Sequence, residues 1–325
     1  MRITRSSRRT ALMLGAALFS AHLWAADGAY PNRPITMIVP YPPGGGTDVV
    51  SRIIAKAAEP LLGQPVVVQN KSGAGGTVGQ QILAQAKPDG YTIGLIVNHP
   101  TVVMPHVSPL PYKPTDFAPV TQITEGQIVF CARPDFPARD ANELIAYAKQ
   151  RPDQLTYAGD GVGGSAHVLG ERIFQAVGIK LRLIPYKGAG DSVVALLGNQ
   201  VDLYGGSVPP VLPHIATGKI RCLLLTSTER SPALPGVMAA RDLGIPDRGS
   251  SVWHGVAAPA GTPRASIVIL EKAFRAAALQ DDVRKRLEDA GVSVVASDSE
   301  TFGRAIVVEH ASFADVVKKL DLEQK

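Results

Sequence analysis

Along most of the chain, short β-branched runs alternate with stretches in which apolar residues recur every three or four positions. The first pair sets the pattern. Ile35, Met37, Ile38 and Val39 form a strand-like run that Pro40, Pro42 and Pro43 stop. Gly44, Gly45 and Gly46 follow, then Thr47 and Asp48. Val49, Val50, Ile53, Ile54, Ala57 and Ala58 then fall on one helical face, with Arg52, Lys56 and Glu59 on the other. This predicts strand, glycine turn and helix, with Thr47 or Asp48 as the N-cap. Residues 65–69 and 91–97 read as two more strands, separated by a glycine turn over 70–76 and a short helix over 77–86. A βαβα order implies a parallel sheet covered on both faces, with ligand loops at the carboxyl ends of the strands. A proline-rich surface stretch is expected between Pro100 and Pro119.

From Ile123 the pattern starts again. Strands are predicted over 128–132, 155–158, 181–185, 201–204 and 220–227, with an amphipathic helix over 140–150. The strand at 155–158 runs into G-D-G-V-G-G-S-A-H (Gly159 to His167) and a helix to about Val177. An aromatic strand over 252–258 and three helical patterns close the chain; Phe302, Ile306, Phe313, Val317 and Leu320 make a core-facing stripe in the last. The glycine turn before Thr47 thus has a counterpart before Ser165, each leading from a strand into a helix.

Composition changes the picture in three places. Arg2, Arg5, Arg8 and Arg9 precede an apolar run from Ala11 to Leu23, too short to span a bilayer, with small residues at Ala25 and Ala26. Residues 1–26 therefore read as an export signal, by either the general or the twin-arginine route. No later run is long and apolar enough to span, so a soluble chain outside the cytoplasmic membrane is expected. The 325-residue chain carries 33 basic and 28 acidic residues. Without the signal's four arginines the basic count falls to 29 against 28 acidic, which gives no electrostatic case for nucleic acid or lipid headgroups. The two cysteines, Cys131 and Cys222, both sit in apolar strand-like runs and read as a disulfide or as two buried thiols.

The candidate chemistry is anion binding rather than catalysis. A helix start leaves amides without acceptors and carries roughly half a positive charge, and glycines let an anion come close. If the two glycine-opened helices face one another across a cleft, a carboxylate compound between them needs no lysine or arginine clamp. None of the glycine loops matches G-x-x-x-x-G-K-S/T, and G-x-G-x-x-G fails at its last position in both G-A-G-G-T-V and G-V-G-G-S-A. Asp48 reads as a helix-start acid paired with Arg52, and also as an acceptor for a ligand amine. Ser165 and His167 suggest a nucleophile and base, but an i,i+2 pair on a helix points to different faces and no G-x-S-x-G elbow exists. His99, His106, His214, His254 and His310 show no metal-ligand spacing. Asp202 is placed equally as a loop stabiliser and as a cleft-lining residue.

Taken together, Y-P-N-R-P-I (Tyr30 to Ile35), V-P-Y-P-P-G-G-G-T-D-V-V-S-R (Val39 to Arg52), L-G-Q-P-V-V-V-Q-N-K-S-G-A-G-G (Leu62 to Gly76), K-P-D-G-Y-T (Lys87 to Thr92) and A-P-A-G-T-P (Ala258 to Pro263) resemble the Bug, or TctC-like, receptors of tripartite tricarboxylate transporters. The resemblance implies an α/β fold of the type II periplasmic binding class. Two α/β domains would be joined by crossover strands around a ligand cleft: residues 27–125 with 229–325, and residues 126–228. It implies a periplasmic receptor that closes on a small carboxylate (a dicarboxylate, an aromatic carboxylate or an acidic amino acid). The receptor would act as a monomer and deliver its load to a permease with a large and a small membrane subunit. No reaction, cofactor or metal is implied. The ligand residues it points to are Tyr41, Gly45, Gly46, Thr47 and Asp48 on one side, and Gly161, Gly163, Gly164, Ser165 and His167 on the other, with Asp202 added from the residue reading. Gly164 departs from the Ser or Thr usual in the family. An exported hydrolase using Ser165 and His167, or a sensor presenting its ligand to a membrane kinase, are the alternatives.

Overall fold

A single long strand ties the molecule together. The computed structural model describes residues 30–227, 230–231, 233–245 and 251–319. The expected export signal, Leu320 and the expected domain boundary at 228/229 lie outside the described residues. In chain order the elements begin with β1 (Ile35–Val39), α1 (Gly46–Leu62), β2 (Val66–Asn70), α2 (Thr77–Ala84), β3 (Thr92–Val97) and α3 (Met104–Val107). They continue with β4 (Phe117–Ala132), α4 (Ala141–Lys149), β5 (Thr156–Gly159), α5 (Ser165–Val177), β6 (Arg182–Pro185), α6 (Ala189–Leu197), β7 (Leu203–Ser207), α7 (Leu212–Ala216) and β8 (Arg221–Leu225). The chain closes with β9 (Ser251–Pro259), α8 (Arg264–Ala278), α9 (Asp281–Asp289), β10 (Val292–Val294) and α10 (Ser299–Lys319).

The strands run in the order β2-β1-β3-β9-β4-β7-β5-β6, with β8 and β10 also paired to β4. β4 has two partners in succession. Its first part, Phe117–Gln127, lies antiparallel to β9, and its second part, Ile128–Ala132, lies antiparallel to β7 and β8. The shift expected at Ile123 is therefore a change of partner within one 16-residue strand. The parallel pairs β1–β2, β1–β3, β5–β6 and β5–β7 are those a βαβ order demands.

Each half of the sheet is buried on both faces. In the first half, Ile35, Met37 and Val39 share a core with Val50, Ile54 and Ala58 of α1 and with Leu270 and Phe274 of α8. Its other face packs Leu83, Ile96, Trp253 and Phe302. In the second half, Phe130 and Ala132 of β4 point to Leu169 and Phe174 of α5, while Val129 and Cys131 point to Val193 and Leu196 of α6. This is the period-two alternation of a strand covered on both sides. Residues 233–245 side with the second half: the amide of Leu225 donates to Met238 O, and Ala240 joins the core around Phe130.

One open alternative is decided and one expectation changes. Cys131 and Cys222 face each other in neighbouring strands and form a disulfide. The stretch after Pro100 is not a surface segment at its start. Pro100, Thr101, Val102 and Val103 are buried, and Thr101 is held by Val97 O at 2.6 Å and by Gln80 Nε2 at 2.9 Å. Proline here caps a turn of helix that plugs the core, so composition misled where burial decided.

Candidate functional site

The carboxyl ends of β1, β3, β5 and β7 meet where the two halves of the sheet adjoin, the place where an open α/β sheet splays its loops apart. A cavity lies there. The first half lines it with Tyr41, Gly45, Gly46 and Thr47, and with Val97, Val252 and His254. The second half contributes Ile128, Asp160, Ser165, Ala189, Gly206 and Ser207. About 40 Å³ is open to the centre of a water molecule, room for a few waters or a short-chain solute. No lysine or arginine is in the lining.

Three helix starts reach this space. α1 begins at Gly46 with Gly45 in the N-cap position and no side-chain cap. The cap expected from Thr47 or Asp48 is thus not made, because the N-cap position falls two to three residues earlier, at Gly45. Asp48 instead turns away from the cavity. Its Oδ2 accepts from Gly44 N and Arg52 Nε, both at 3.0 Å, and its Oδ1 accepts from Asn70 Nδ2 at 2.9 Å. Burial works against its charge, but these hydrogen bonds and the Arg52 guanidinium prevail and hold the carboxyl below its usual range. Gly46 lacks a side chain for a reason seen only in three dimensions: a Cβ there would stand 2.6 Å from Ser207 Oγ of the other half.

α5 begins at Ser165, again with a glycine, Gly164, at the N-cap position. Here the amides are taken. Ser165 N and Ala166 N donate to Asp160 Oδ2 and Oδ1, each at 3.1 Å. Burial raises the Asp160 pKa above the usual carboxylate range, and the amides offset only part of that. A Cβ on Gly164 would lie 2.2 Å from Asp160 Oδ1, so the carboxylate can occupy the helix start only because residue 164 is glycine. The third start is that of α6, where Ala189 faces the cavity and Gly188 packs on Pro42.

Around these starts lie neutral polar groups. Thr47 Oγ1 meets His254 Nε2 at 3.3 Å, and His254 Nδ1 meets Thr124 Oγ1 at 3.1 Å. Burial pushes the His254 pKa down to about 4, so the ring is neutral at pH 7, one nitrogen donating and the other accepting. Tyr41 OH donates to Gly75 O at 2.9 Å, and Asn70 Nδ2 donates to Tyr41 O at 2.9 Å, which fixes the loop before α1.

Of the residues singled out from sequence, Tyr41, Gly45, Gly46, Thr47 and Ser165 line the cavity. Asp48 does not. Gly161 faces an outer groove with Gly75 and Lys187, and its carbonyl accepts from Gly164 N. Gly163 N donates to His167 Nδ1 at 2.8 Å, which turns that ring into the loop rather than the cavity. Gly164 backs the cavity without lining it. Asp202 sits at the opposite end of β7 from Ser207, roughly 16 Å away at strand rise, where Thr156 N and Oγ1 both donate to it at 2.8 Å. It is a strand-end anchor. Sequence reasoning missed Asp160, Ser207 and His254. Asp160 lay inside the glycine loop but five residues ahead of the helix, outside any N-cap spacing; the other two carry no local signal.

Among the described residues no group of three or more His, Cys, Asp or Glu side chains is arranged to hold a metal ion. No described helix is long and apolar enough to cross a membrane. Residues 50–322 match the tripartite tricarboxylate transporter family receptor, TctC. The chain belongs to this family. It is 36% identical to protein BugT of Bordetella pertussis over 98% of this chain and 99% of that one. The solved structure of the periplasmic binding protein BugD superposes with a TM-score of 0.85 at 34% identity, covering 91% of this chain and all of that one. MatC of Rhodopseudomonas palustris, solved with bound malate, gives 0.82 at 31% identity, covering 89% and 100%. Like these, the chain has the two-domain periplasmic binding fold. It is a periplasmic solute receptor, not an enzyme. The Ser165–His167 hydrolase alternative falls with that: the His167 nitrogen facing its own loop is committed to Gly163, and Ser165 serves a helix start.

Proposed function

We propose that this receptor closes its cleft on a small organic carboxylate and delivers it, as a monomer, to the large and small membrane subunits of a tripartite permease. The observation that carries the reading is the uncapped start of α1, whose first amides open into a cavity walled by both halves of the molecule. Such a start stabilises an anion without a cationic side chain. Malate bound to MatC is consistent with it. The proposed ligand contacts are Tyr41, Gly45, Gly46, Thr47 and Ser165, with Ser207 and His254 added. Asp48, Gly161, Gly163, Gly164 and His167 shape the loops that hold them.

The proposed lobes are residues 30–127 with 251–319, and residues 128–227 with 230–231 and 233–245, hinged within β4 between Gln127 and Ile128. A ligand touching both lobes binds the closed form better than the open one, and that difference drives closure. Purified protein is expected to gain thermal stability from at least one compound in a panel of C4–C8 dicarboxylates, aromatic carboxylates and amino acids. At a hundredfold excess over Kd the gain is about 2.7 kcal/mol. Flat melting curves with every member of the panel sink the reading.

A further inference from the structure

The two ends of the cavity ask for different chemistry. At α1 the helix amides are open and the nearby acid, Asp48, faces away. At α5 the corresponding amides are spent on Asp160, so that wall presents a carboxylate and not a pair of donors. An ionised carboxylate has about four acceptor positions, and the two amides leave the others for a donor in the cavity.

Among the described residues no cationic side chain offsets the charge of this acid. Among the described residues no lysine or arginine stands within ion-pair distance of Asp160. Tyr41 OH donates to Gly75 O and Tyr204 OH to Ser207 O, so neither hydroxyl proton goes to it. His254, the other ionisable side chain on the polar wall, is held between Thr47 and Thr124. A solute with a carboxylate at each end would set one of them against Asp160 in a narrow, water-poor space, where like charges are least tolerated. An ammonium group there would find the acceptor positions that the amides leave open on Asp160.

We propose that Asp160 makes this receptor selective for small aminocarboxylates, with the ligand carboxylate on the start of α1 and its ammonium on Asp160. The inference rests on the cleft being the ligand site. Asp160 is then a specificity residue, and Gly164 permits it by leaving room for its carboxylate at the helix start.

The test is calorimetric titration of protein stripped of ligand by unfolding and refolding. The probes are C3–C6 α- and ω-aminocarboxylates and the dicarboxylates of the same lengths. At least one aminocarboxylate is expected to bind about tenfold or more tightly than its matched diacid, an opposite-charge contact against a like-charge one. In Asp160→Ser, which keeps a hydroxyl for the amides and removes the charge, that preference is expected to vanish or reverse. Asp160→Asn serves the same purpose if the serine variant does not fold. Equal or tighter binding of the diacids by the unaltered protein, or an unchanged preference in the variant, overturns the role of Asp160 and leaves the receptor reading standing. If neither series binds either protein, this inference falls, and the cleft assignment falls with it only where the wider carboxylate panel is silent as well.

Discussion

At the start of α1 the amides open into the cavity, and the carboxylate of the helix's own first turn, Asp48, turns outward to Gly44 N, Arg52 and Asn70. At the start of α5 the nearby carboxylate, Asp160, turns inward and takes the amides itself. Both helices follow a strand, both have glycine at the N-cap position, and neither is capped by the side chain of its own N-cap residue. The difference lies in where one acidic side chain is sent. An acid inside the first turn of α1, four residues from Arg52, is captured by the ion pair along its own helix. An acid five residues before α5 is brought back over the helix start by the loop, with no cation among the described residues to draw it elsewhere. Two similar motifs thus become one open anion site and one self-occupied site.

The comparison breaks most readily at Gly46. Gly46→Val places a side chain where Ser207 Oγ already stands 2.6 Å from the Cβ position, inside the open helix start. Carboxylate binding is expected to weaken by about a thousandfold, ~4 kcal/mol, in calorimetric titration. Unchanged affinity would move the ligand away from α1.

The two ends also answer acid in opposite directions. Burial lowers His254 beside Thr47 to about 4, so its native neutral state is favoured above its unfolded pKa near 6.5 and that stability is lost as pH falls from about 6.5 towards 4. The full effect is on the order of 3 kcal/mol. The Asp160 pKa is raised, so protonation on acidification relieves a penalty there and stabilises the fold. In urea titrations between pH 7 and pH 4, His254→Asn is expected to flatten the loss of stability and Asp160→Asn to steepen it. The same slope in both variants would show that the two groups do not control it.

Gly164→Ala tests the α5 side more gently. The added Cβ would be 2.2 Å from Asp160 Oδ1, so the carboxylate must leave its amides. A loss of about 2 kcal/mol in unfolding free energy is expected, from a displaced hydrogen-bonded charge and local crowding. The smallest effect is expected at Asp48. Asp48→Asn removes the charge facing Arg52, whose side chain is half exposed. The expected cost is about 1 kcal/mol in stability, with ligand affinity changing less than about threefold. A large loss of affinity with intact stability would return Asp48 to the ligand site.

Much of the architecture is legible in the chain itself. β-Branched runs and three-to-four spacing place β1, α1, β3, α5 and β9 close to where they occur, because each element buries a face whose period its own side chains record. The glycine turns before α1 and α5 are equally local, as is the Asp48–Arg52 pair. Three-dimensional packing decided the rest. Tertiary pairing made one strand of Phe117–Ala132, buried Pro100–Val103, and brought Cys131 to Cys222 across 91 residues. It sent Asp202 to Thr156, away from the cavity, and set Ser207, His254 and Asp160 around it. Periodicity reports what a residue does for its own element. It does not report which distant backbone atom a carboxylate will meet, and in this protein that is the difference between an anion site and its opposite.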